Sequence, residues 1–449
     1  MSKDLRKPPQ PPALWQQLQH TAAAVRAVLA GQSLTARLEA LPSELRPGVQ
    51  ALSFHVLRVL GRARAVRALL APRQPAPAVD ALLCTALALT LEPSQAPYAE
   101  HTLASQAVEA ARRQHSTRAQ AGFINACLRR LMRERRALLD QTDTDPQAQW
   151  NHPAWWIERV QQDHPDHWQT LLNMAQHPPP MTLRVNLQRQ TVQAYQRRLE
   201  AAGLPAGTPV GQCGLQLVHA VPVRDLPGFE HGDVSVQDAA AQLAAPLLLA
   251  ELPECPGLRL LDACAAPGGK TGHLLEMRPH AQVLALEVDA RRVGRIHQNL
   301  ERLQLSARVQ QADAGNPGSW WDGQPFDGIL LDAPCTASGI VRRHPDVRWL
   351  RRPDDSAQLA STQSQLLDSL WPLLNVGGRL LYCTCSVFRA EGEGVIQAFL
   401  ERNTTARQRP SPGHLIPGTR SPGLALGDNA LGEHDGFYYA LLEKVASPS

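Results

Sequence analysis

Long hydrophobic runs are missing from this 449-residue chain. No segment approaches the roughly 20 consecutive apolar residues that a membrane-spanning helix needs. The first twelve residues are polar and rich in proline, whereas a secretion signal has a basic start followed by a hydrophobic stretch. We therefore expect a cytosolic protein that does not interact with a membrane.

Cysteine is scarce as well, with eight residues spread thinly along the chain. In the absence of a secretion signal, this spacing argues against a disulfide framework and for free thiols. A zinc site is not expected, because Cys383 and Cys385 form C-x-C rather than C-x-x-C and the other cysteines lie far apart in sequence. Cys84, Cys127 and Cys383 are expected to be buried thiols with a structural role only.

Lysine stands at only four positions while arginine is abundant, which makes Lys270 conspicuous inside the chain. The charge is also uneven. Residues 1–140 contain 19 lysines and arginines against 9 acidic residues, and residues 141–449 contain 26 against 32. The positive excess of the first part favours contact with a polyanion such as RNA. We expect this part to contribute salt-sensitive affinity that does not depend on nucleotide sequence.

Three regions differ in the periodicity of their apolar residues. In residues 1–145 these recur every three or four positions between prolines, which predicts an all-α bundle that ends in a linker at residues 140–149. Residues 150–236 alternate helical and extended segments and predict a small α/β module. Residues 237–446 repeat an apolar strand followed by a helix or loop, which predicts a doubly wound, mostly parallel sheet.

A turn of small residues follows the first strand of the third region. Residues 258–276, LRLLDACAAPGGKTGHLLE, predict a strand, a tight turn and a helix start, where a ligand can approach the backbone and meet unpaired N–H groups. The dinucleotide pattern G-x-G-x-x-G is absent. Cys264 stands where a phosphate-binding G-x-x-x-x-G-K-[ST] loop needs its first glycine. S-adenosylmethionine is the ligand that these residues favour.

Acidic residues at the next two strand ends support this interpretation. Glu287 ends a strand about 20 residues after the turn, where a carboxylate can accept hydrogen bonds from ribose hydroxyls. Asp313 follows the next strand and could meet the amino group of adenine. Three successive strand ends would then direct polar groups into one crevice.

Two thiols and a carboxylate follow the fourth and fifth predicted strands. FDGILLDAPCTASG places Asp332 and Cys335 after one strand, and GGRLLYCTCS places Cys383 and Cys385 after the other. Because neighbouring parallel strands bring their carboxyl ends to the same crevice, these groups are predicted to face the methyl donor. Cys335 and Cys385 stand in turns rather than inside helices, which favours a chemical role for both.

This set of groups suits methylation of an unreactive aromatic carbon. Carbon 5 of cytosine becomes nucleophilic once a thiolate has added to carbon 6. Asp332 would polarise the ring at nitrogen 3, and the second cysteine would act when the thioether is broken. Two alternatives stay open: DNA cytosine-5 methylation, whose Pro-Cys nucleophile Pro334-Cys335 resembles, and a non-catalytic RNA-binding factor, which the helical region alone suggests.

At these residues the chain resembles the Sun/Fmu family of RNA cytosine-5 methyltransferases. The similarity spans nearly the whole chain. It rests on GFINACLRR in the helical region, LRVN at residues 183–186, DACAAPGGKT, DAPCTASGIVRRHPD, TCS and DGFYYA at residues 435–440. It implies an RNA-binding NusB-like all-α bundle, a small α/β module and a Rossmann-like, S-adenosylmethionine-dependent methyltransferase domain.

The resemblance also implies a substrate, 16S ribosomal RNA, with cytosine 967 as the target; another RNA is the alternative. No sequence feature indicates an obligate protein partner, so we expect a monomer. By resemblance, Cys385 in TCS would be the nucleophile and Cys335 in DAPC would assist product release. Lys270 occupies the lysine position of the family's PGGK motif, and its ammonium group would act at the cofactor or the target base.

The same resemblance implies which residues hold the cofactor. Glu287 stands where aspartate is common in the family, which a small backbone shift would accommodate. No metal ligand is implied. The implied S-adenosylmethionine-binding residues are Cys264, Ala265, Ala266, Pro267, Gly268, Gly269, Lys270, Glu287, Asp313 and Asp332.

An arginine-rich segment, VRRHPDVRWLRRP at residues 341–353, follows the DAPC turn. Arginine can bind phosphate and stack on bases, and a target cytosine must leave its stack to enter an active site. We expect the arginines of this segment and Trp349 to contact RNA beside the crevice.

Overall fold

The computed structural model of the chain describes residues 12–419 and 430–447, which divide into two compact units. The helical unit contains the described residues up to Gln162, together with Ala175–His177 and Arg343–Arg352. The sheet unit contains Asp163–Met174, Pro178–Arg342 and the described residues from Pro353 onward. None of the described helices is both long and apolar enough to span a bilayer.

The helical unit forms around one apolar core. Leucine and valine side chains at helical spacing form this core, in which Val25, Leu57, Leu87 and Leu128 are fully buried. The helices from this part of the chain are α1 (Leu14–Leu29), α2 (Leu34–Glu39), α3 (Arg46–Leu70), α4 (Pro77–Thr90), α5 (Glu100–Arg113), α6 (Ala121–Thr142), α7 (Pro146–Trp150) and α8 (Ala154–Asp163). Helix α4 is buried on all its faces.

The linker predicted at residues 140–149 is wrong, because most of this segment is helical. Helix α6 continues to Thr142, and α7 begins at Pro146. The Asp145 side chain accepts a hydrogen bond from the Gln147 N–H at 2.9 Å and caps the start of α7. The polar residues and the proline that indicated a linker are the start signals of a short helix.

The sheet unit begins with a small layer of antiparallel strands in the order β2-β3-β1-β4. Leu183, Val185, Tyr195 and Leu215 are buried between this sheet and its helix. The elements are α9 (Trp168–Met174), β1 (Thr182–Val185), α10 (Val192–Ala201), β2 (Thr208–Val210), β3 (Gly214–Gln216) and β4 (Val234–Val236).

A seven-stranded sheet in the order β10-β11-β9-β8-β5-β6-β7 forms the rest of this unit. The five strands β9, β8, β5, β6 and β7 are parallel to one another. Strand β11 pairs antiparallel with β9, and β10 pairs antiparallel with β11 at the edge of the sheet. The elements are α11 (Ala244–Leu249), β5 (Arg259–Asp262), α12 (Gly269–Met277), β6 (Gln282–Glu287), α13 (Ala290–Leu303), β7 (Arg308–Gln311), β8 (Phe326–Asp332), α14 (Val347–Leu350), α15 (Asp355–Leu370), β9 (Leu374–Thr384), α16 (Glu393–Arg402), β10 (Ala406–Leu415) and β11 (Phe437–Lys444).

The five predicted βα strands are confirmed, with a doubly wound connectivity. The chain runs from β5 through β6 to β7 in one direction, and β8 and β9 lie on the other side of β5. Strand order therefore reverses between β5 and β8, where open α/β sheets bind ligands at the carboxyl ends of their strands. The alternation of strands and helices in the sequence did not predict the antiparallel pair β10 and β11.

The prediction that residues 341–353 present their arginines and Trp349 to RNA is wrong for the central part of the segment. Arg342, Arg348 and Trp349 are buried, with exposures of 2%, 0% and 5%. Within the helical unit, Trp349 Nε1 donates to the Leu57 carbonyl at 2.7 Å, and Arg348 Nη2 donates to the Ala175 carbonyl at 2.6 Å. Trp349 is part of the core of the helical unit, and the buried Arg342 and Arg348 side chains bind groups of the chain itself instead of forming an RNA-binding surface.

We expect Trp349→Ala to lower the free energy of unfolding by about 3–5 kcal/mol, because it leaves a large cavity in the core and removes the hydrogen bond to the Leu57 carbonyl. Urea unfolding followed by far-ultraviolet circular dichroism measures this loss. Arg352→Ala, at the exposed end of the same segment, is the control and should cost less than about 1 kcal/mol. Equal stability of the two variants would contradict the packing role of Trp349.

Candidate active site

The predicted functional residues follow five neighbouring strands, in the spatial order β9-β8-β5-β6-β7. Parallel pairing aligns the ends of these strands: Asp262 of β5 is opposite Leu330 of β8, and Asp332 of β8 is opposite Cys383 of β9. The polar and nucleophilic side chains beyond these pairs therefore lie along one edge of the sheet.

The small-residue turn between β5 and α12 is tied closely to its neighbours. The Ala265 N–H donates to the Leu286 carbonyl at 2.8 Å, and the Gly268 N–H donates to the Ala265 carbonyl at 2.6 Å. Gly268 has φ 94°, in the left-handed region that favours glycine, and a Cβ there would lie 3.3 Å from the backbone of Ile296. This position requires glycine for both reasons.

Arg184 of β1 holds this turn from the small antiparallel sheet, and sequence reasoning assigned it no role. Its side chain is fully buried and donates from Nε and Nη2 to both carboxylate oxygens of Glu276, at 2.9 and 2.8 Å. Its Nη1 donates to the carbonyl of Gly269 at 2.8 Å. The sequence feature that could have indicated this role is the arginine inside the apolar strand LRVN, because a buried charge needs charged or polar partners.

Asp262, at the end of β5, is a buried carboxyl group beneath the turn. Its Oδ2 accepts a hydrogen bond from Thr271 Oγ1 at 2.6 Å. Burial raises the pKa of Asp262 to about 7, although the Thr271 hydrogen bond acts in the opposite direction. This carboxyl group therefore changes its charge near neutral pH.

Glu287 and Asp313 differ in their surroundings. Glu287 is buried at the end of β6 and accepts a hydrogen bond from the Asp289 N–H at 3.0 Å, with Arg292 Nη1 at 3.3 Å from its other oxygen. Asp313 is exposed after β7, and its Oδ1 accepts from the Gly315 N–H at 2.8 Å. Both carboxylates keep lone pairs that a ligand hydroxyl or amino group can use.

Lys270, Asp332 and Cys383 form a cluster at the ends of β5, β8 and β9. Lys270 Nζ lies 2.6 Å from Asp332 Oδ2, and Cys383 Sγ lies 3.4 Å from Asp332 Oδ1. Burial alone would lower the pKa of Lys270, but the Asp332 carboxylate outweighs it and the net pKa is raised. Burial, and then the Asp332 charge, raise the pKa of Cys383 well above its ordinary value.

Cys335 and Cys385 face each other from the turns after β8 and β9. Their Sγ atoms are 3.4 Å apart, and both side chains are partly exposed. The hydrogen bond with Cys385, followed by burial, raises the pKa of the Cys335 thiol well above its ordinary value. Cys335 therefore keeps its proton at neutral pH and can donate it in a hydrogen bond to the Cys385 sulfur.

Cys383 is fully buried in the core of the sheet unit, as predicted, and its sulfur also contacts the Asp332 carboxylate. Cys84 and Cys127 are buried in the core of the helical unit, as expected. Among the residues that the structure describes, no group of three or more histidines, cysteines or acidic residues is arranged to hold a metal ion.

We expect Asp262→Asn to remove a pH dependence of stability. The carboxyl group has a pKa of 3.8 in its ordinary state and about 7 in the fold, so the folded chain binds the extra proton between these values. The stability that this proton contributes is complete below about pH 4 and is lost as the pH rises to about 7.

Urea unfolding of both proteins at several pH values between 5 and 8 measures the difference. The free energy of unfolding of the native chain should fall relative to that of the Asp262→Asn variant up to about pH 7 and then stay level. Parallel pH profiles would contradict the burial of an ionisable carboxyl group at this position.

Comparison with known families covers two parts of the chain. The family described as 16S rRNA methyltransferase RsmB/F matches residues 251–443. A ferredoxin-like domain of RsmF/B-like methyltransferases matches residues 152–224, which agrees with the predicted small α/β module. The two matches leave most of the helical unit outside them.

Curated relatives extend the similarity to most of the chain. Ribosomal RNA small subunit methyltransferase B of Pseudomonas syringae pv. tomato is 46% identical over 331 residues, which cover 73% of each chain. The protein of the same name from Vibrio cholerae is 40% identical over 422 residues, covering 92% of this chain and 94% of the relative.

Solved structures share the fold. A crystal structure that aligns with 98% of this chain has a TM-score of 0.72 at 24% identity. A methyltransferase homologue from Pyrococcus horikoshii is 28% identical, with a TM-score of 0.55 over 67% of this chain and 98% of its own. The fold class predicted from the sequence is confirmed, and the chain belongs to the RsmB/F family of 16S rRNA methyltransferases.

Proposed function

We propose that this protein methylates carbon 5 of a cytosine in 16S ribosomal RNA with S-adenosylmethionine, through a covalent bond between Cys385 and carbon 6 of the base. The observation that carries the proposal is the pair of thiols 3.4 Å apart, on the strand ends next to the Lys270–Asp332 ion pair. The names of the curated relatives support small-subunit ribosomal RNA as the substrate.

The residues at the β5 and β6 ends fit S-adenosylmethionine. The turn residues from Cys264 to Gly269 carry small side chains, and a Cβ at Gly269 would meet no atom closer than 3.9 Å, which leaves room for a ligand against the backbone. Glu287 would accept from the ribose hydroxyls and Asp313 from the adenine amino group. The first N–H groups of α12 would donate to the carboxylate of the methionine part.

Cys385 is the proposed nucleophile because its neighbour is equipped to keep it reactive. The raised pKa of Cys335 makes that residue a proton donor, and a hydrogen bond from it stabilises the thiolate form of Cys385. The Cys385 sulfur adds to carbon 6, carbon 5 becomes electron-rich, and bound S-adenosylmethionine supplies the methyl group. After a water molecule takes the proton of carbon 5, the Cys385 sulfur leaves as a thiolate, and Cys335 again donates a hydrogen bond to it.

Asp332 is the proposed partner of the target ring. Addition of sulfur to carbon 6 moves electron density onto ring nitrogen 3, which must be stabilised by a proton or a hydrogen bond. Lys270 fixes one oxygen of Asp332 at 2.6 Å and keeps its positive charge beside the pocket. An ionised carboxylate only accepts hydrogen bonds, so Asp332 would have to carry a proton, taken from solvent, when it donates to nitrogen 3. We therefore assign Lys270 to orienting Asp332 and to placing a positive charge beside the bound ring.

DNA methylation through Cys335 is the rival within enzymes. This rival assigns the thiolate to Cys335, whereas the proposal leaves the proton on Cys335, in agreement with its raised pKa, and assigns the attack to Cys385. A non-catalytic RNA-binding factor is the rival from another class. Binding of S-adenosylmethionine, measured by calorimetry, would argue against that rival, and the absence of binding would favour it.

We expect Cys385→Ala to abolish the covalent adduct with RNA that contains 5-azacytosine and to lower kcat by more than about 1,000-fold, because no other thiol can replace the nucleophile. Cys335→Ala should still form this adduct, and with unmodified RNA it should accumulate a covalent intermediate because release is slow. Denaturing gel electrophoresis of protein–RNA adducts measures both effects, with Cys127→Ala in the helical core as the control.

Two outcomes would overturn this assignment. An adduct that persists in Cys385→Ala and is lost in Cys335→Ala would reverse the roles of the cysteines. An adduct that forms on DNA and not on RNA containing the same modified base would assign the protein to DNA.

Deletion of the gene should remove one 5-methylcytosine from 16S ribosomal RNA, at cytosine 967. Bisulfite sequencing of ribosomal RNA from the parent and deletion strains measures the loss, and a plasmid copy carrying Cys385→Ala serves as the control that should fail to restore it. A map that is the same in both strains would show that another RNA is the substrate.

A further inference from the structure

Glu391 is a fully buried carboxylate that lies behind the two cysteine turns. It follows β9 in a short helical turn, Arg389–Glu391, and no step of the proposed reaction uses it. We propose that Glu391 is a positioning residue that sets the distance between Cys335 and Cys385 by holding both turns at once. The effect of Glu391 on catalysis rests on the proposed function. Its effect on the distance between Cys335 and Cys385 does not.

Glu391 binds the Cys335 turn through the residue next to the cysteine. The N–H of Thr336 donates to Glu391 Oε1 at 2.8 Å, and the Thr336 hydroxyl donates to Oε2. Gln363 extends the contact, because its Nε2 lies 3.4 Å from Oε1 and 2.9 Å from the carbonyl of Pro334. The residues on both sides of Cys335 are thus fixed with respect to the carboxylate.

Glu391 binds the Cys385 turn in the same way. The Ser386 hydroxyl donates to Glu391 Oε2 at 2.6 Å. Ser386 Oγ accepts in turn from the Phe388 N–H at 3.1 Å and lies 2.8 Å from Ser338 Oγ, which accepts from the Val387 N–H at 2.9 Å. The hydroxyl proton of Ser386 is therefore directed at the carboxylate, since its other neighbours can supply donors.

Only a carboxylate satisfies this arrangement. Each oxygen of Glu391 faces donors, one of them from the backbone N–H of Thr336 and the others from hydroxyl and amide groups. A carboxylate accepts at about four sites and donates at none, whereas an amide replaces one oxygen with a donor. In Glu391→Gln, an NH2 group at the Oε1 position would face the Thr336 N–H, which cannot accept. An NH2 group at the Oε2 position would require the Thr336 and Ser386 hydroxyls to turn their protons elsewhere, which changes the hydrogen bonds that hold both turns.

Loss of one anchor should let the two turns separate. The Sγ–Sγ distance of 3.4 Å has no covalent support, so it depends on hydrogen bonds. The Gly339 N–H donates to the Cys385 carbonyl at 2.9 Å, and the bonds of Glu391 to residues 336 and 386 add a second connection between the turns. In the proposed reaction Cys335 must donate a hydrogen bond to the Cys385 sulfur both when the sulfur attacks and when it leaves. A misplacement of these groups by about 1 Å lowers the rate on the order of 100-fold. Glu391 would thus act on catalysis without touching the substrate.

The test compares Glu391→Gln with Glu393→Gln, a matched change two residues later, where the side chain is about half exposed and its ion pair with Arg389 is 3.6 Å long. The first readout uses no RNA and no S-adenosylmethionine. Each protein is equilibrated with glutathione buffers, in which oxidised glutathione takes two electrons and two protons from the thiols of Cys335 and Cys385. Mass spectrometry of peptides then gives the fraction with a Cys335–Cys385 disulfide.

We expect the equilibrium constant for this disulfide to fall about tenfold in Glu391→Gln and to stay unchanged in Glu393→Gln, because it reports how closely the two thiols are held. The second readout is steady-state methylation. In Glu391→Gln, kcat should fall by about 10- to 100-fold while KM for S-adenosylmethionine changes by less than about threefold.

An unchanged disulfide equilibrium in folded Glu391→Gln would overturn the proposal. If this variant does not fold, Ser386→Ala and Thr336→Val, which each remove one hydroxyl donor and keep Glu391, take its place with the same expected directions and the same overturning result. Failure of the proposed function has a different signature, because the thiol equilibrium would still shift while no 5-methylcytosine forms in any variant.

Discussion

The hydrogen-bonded register between β8 and β9 is the constraint on which the site depends. It sets Asp332 opposite Cys383 and continues beyond the strands, where the Ala333 N–H donates to the Cys383 carbonyl and the Gly339 N–H donates to the Cys385 carbonyl, each at 2.9 Å. A slip by one residue would turn every side chain of β9 to the opposite face of the sheet. The two cysteine turns would then no longer face each other.

Much of the fold and of the site could be predicted from the sequence, because both follow from local patterns. An apolar strand followed by small residues predicted the turn after β5. Asp332, Cys335 and Cys385 each follow a predicted strand, which predicted that they lie at the same edge of the sheet. The contacts of Arg184 and Glu391 could not be predicted in this way. Each joins segments that are far apart in sequence, so their partners are known only once the strands have been ordered.

The arginine-rich segment illustrates the opposite error. Charge and an aromatic residue indicated a nucleic-acid contact, yet Arg348 and Trp349 are buried in the helical unit. Composition cannot distinguish an exposed arginine from one whose guanidinium group donates to carbonyls such as that of Ala175. Buried ionisable groups recur at Arg184, Asp262 and Glu391, where each one forms hydrogen bonds that fix a turn or the start of a helix.

Residues 343–352 belong to the helical unit, although the ribosome synthesises them long after the helices that they pack against. The core around Leu57 lacks Trp349 while the ribosome is still synthesising the sheet strands that come between them. At roughly 5–20 residues per second, this interval lasts on the order of ten seconds or more. The first unit to emerge is therefore among the last to be completed, and a nascent chain must tolerate an open hydrophobic core until the strands that precede Trp349 have been synthesised.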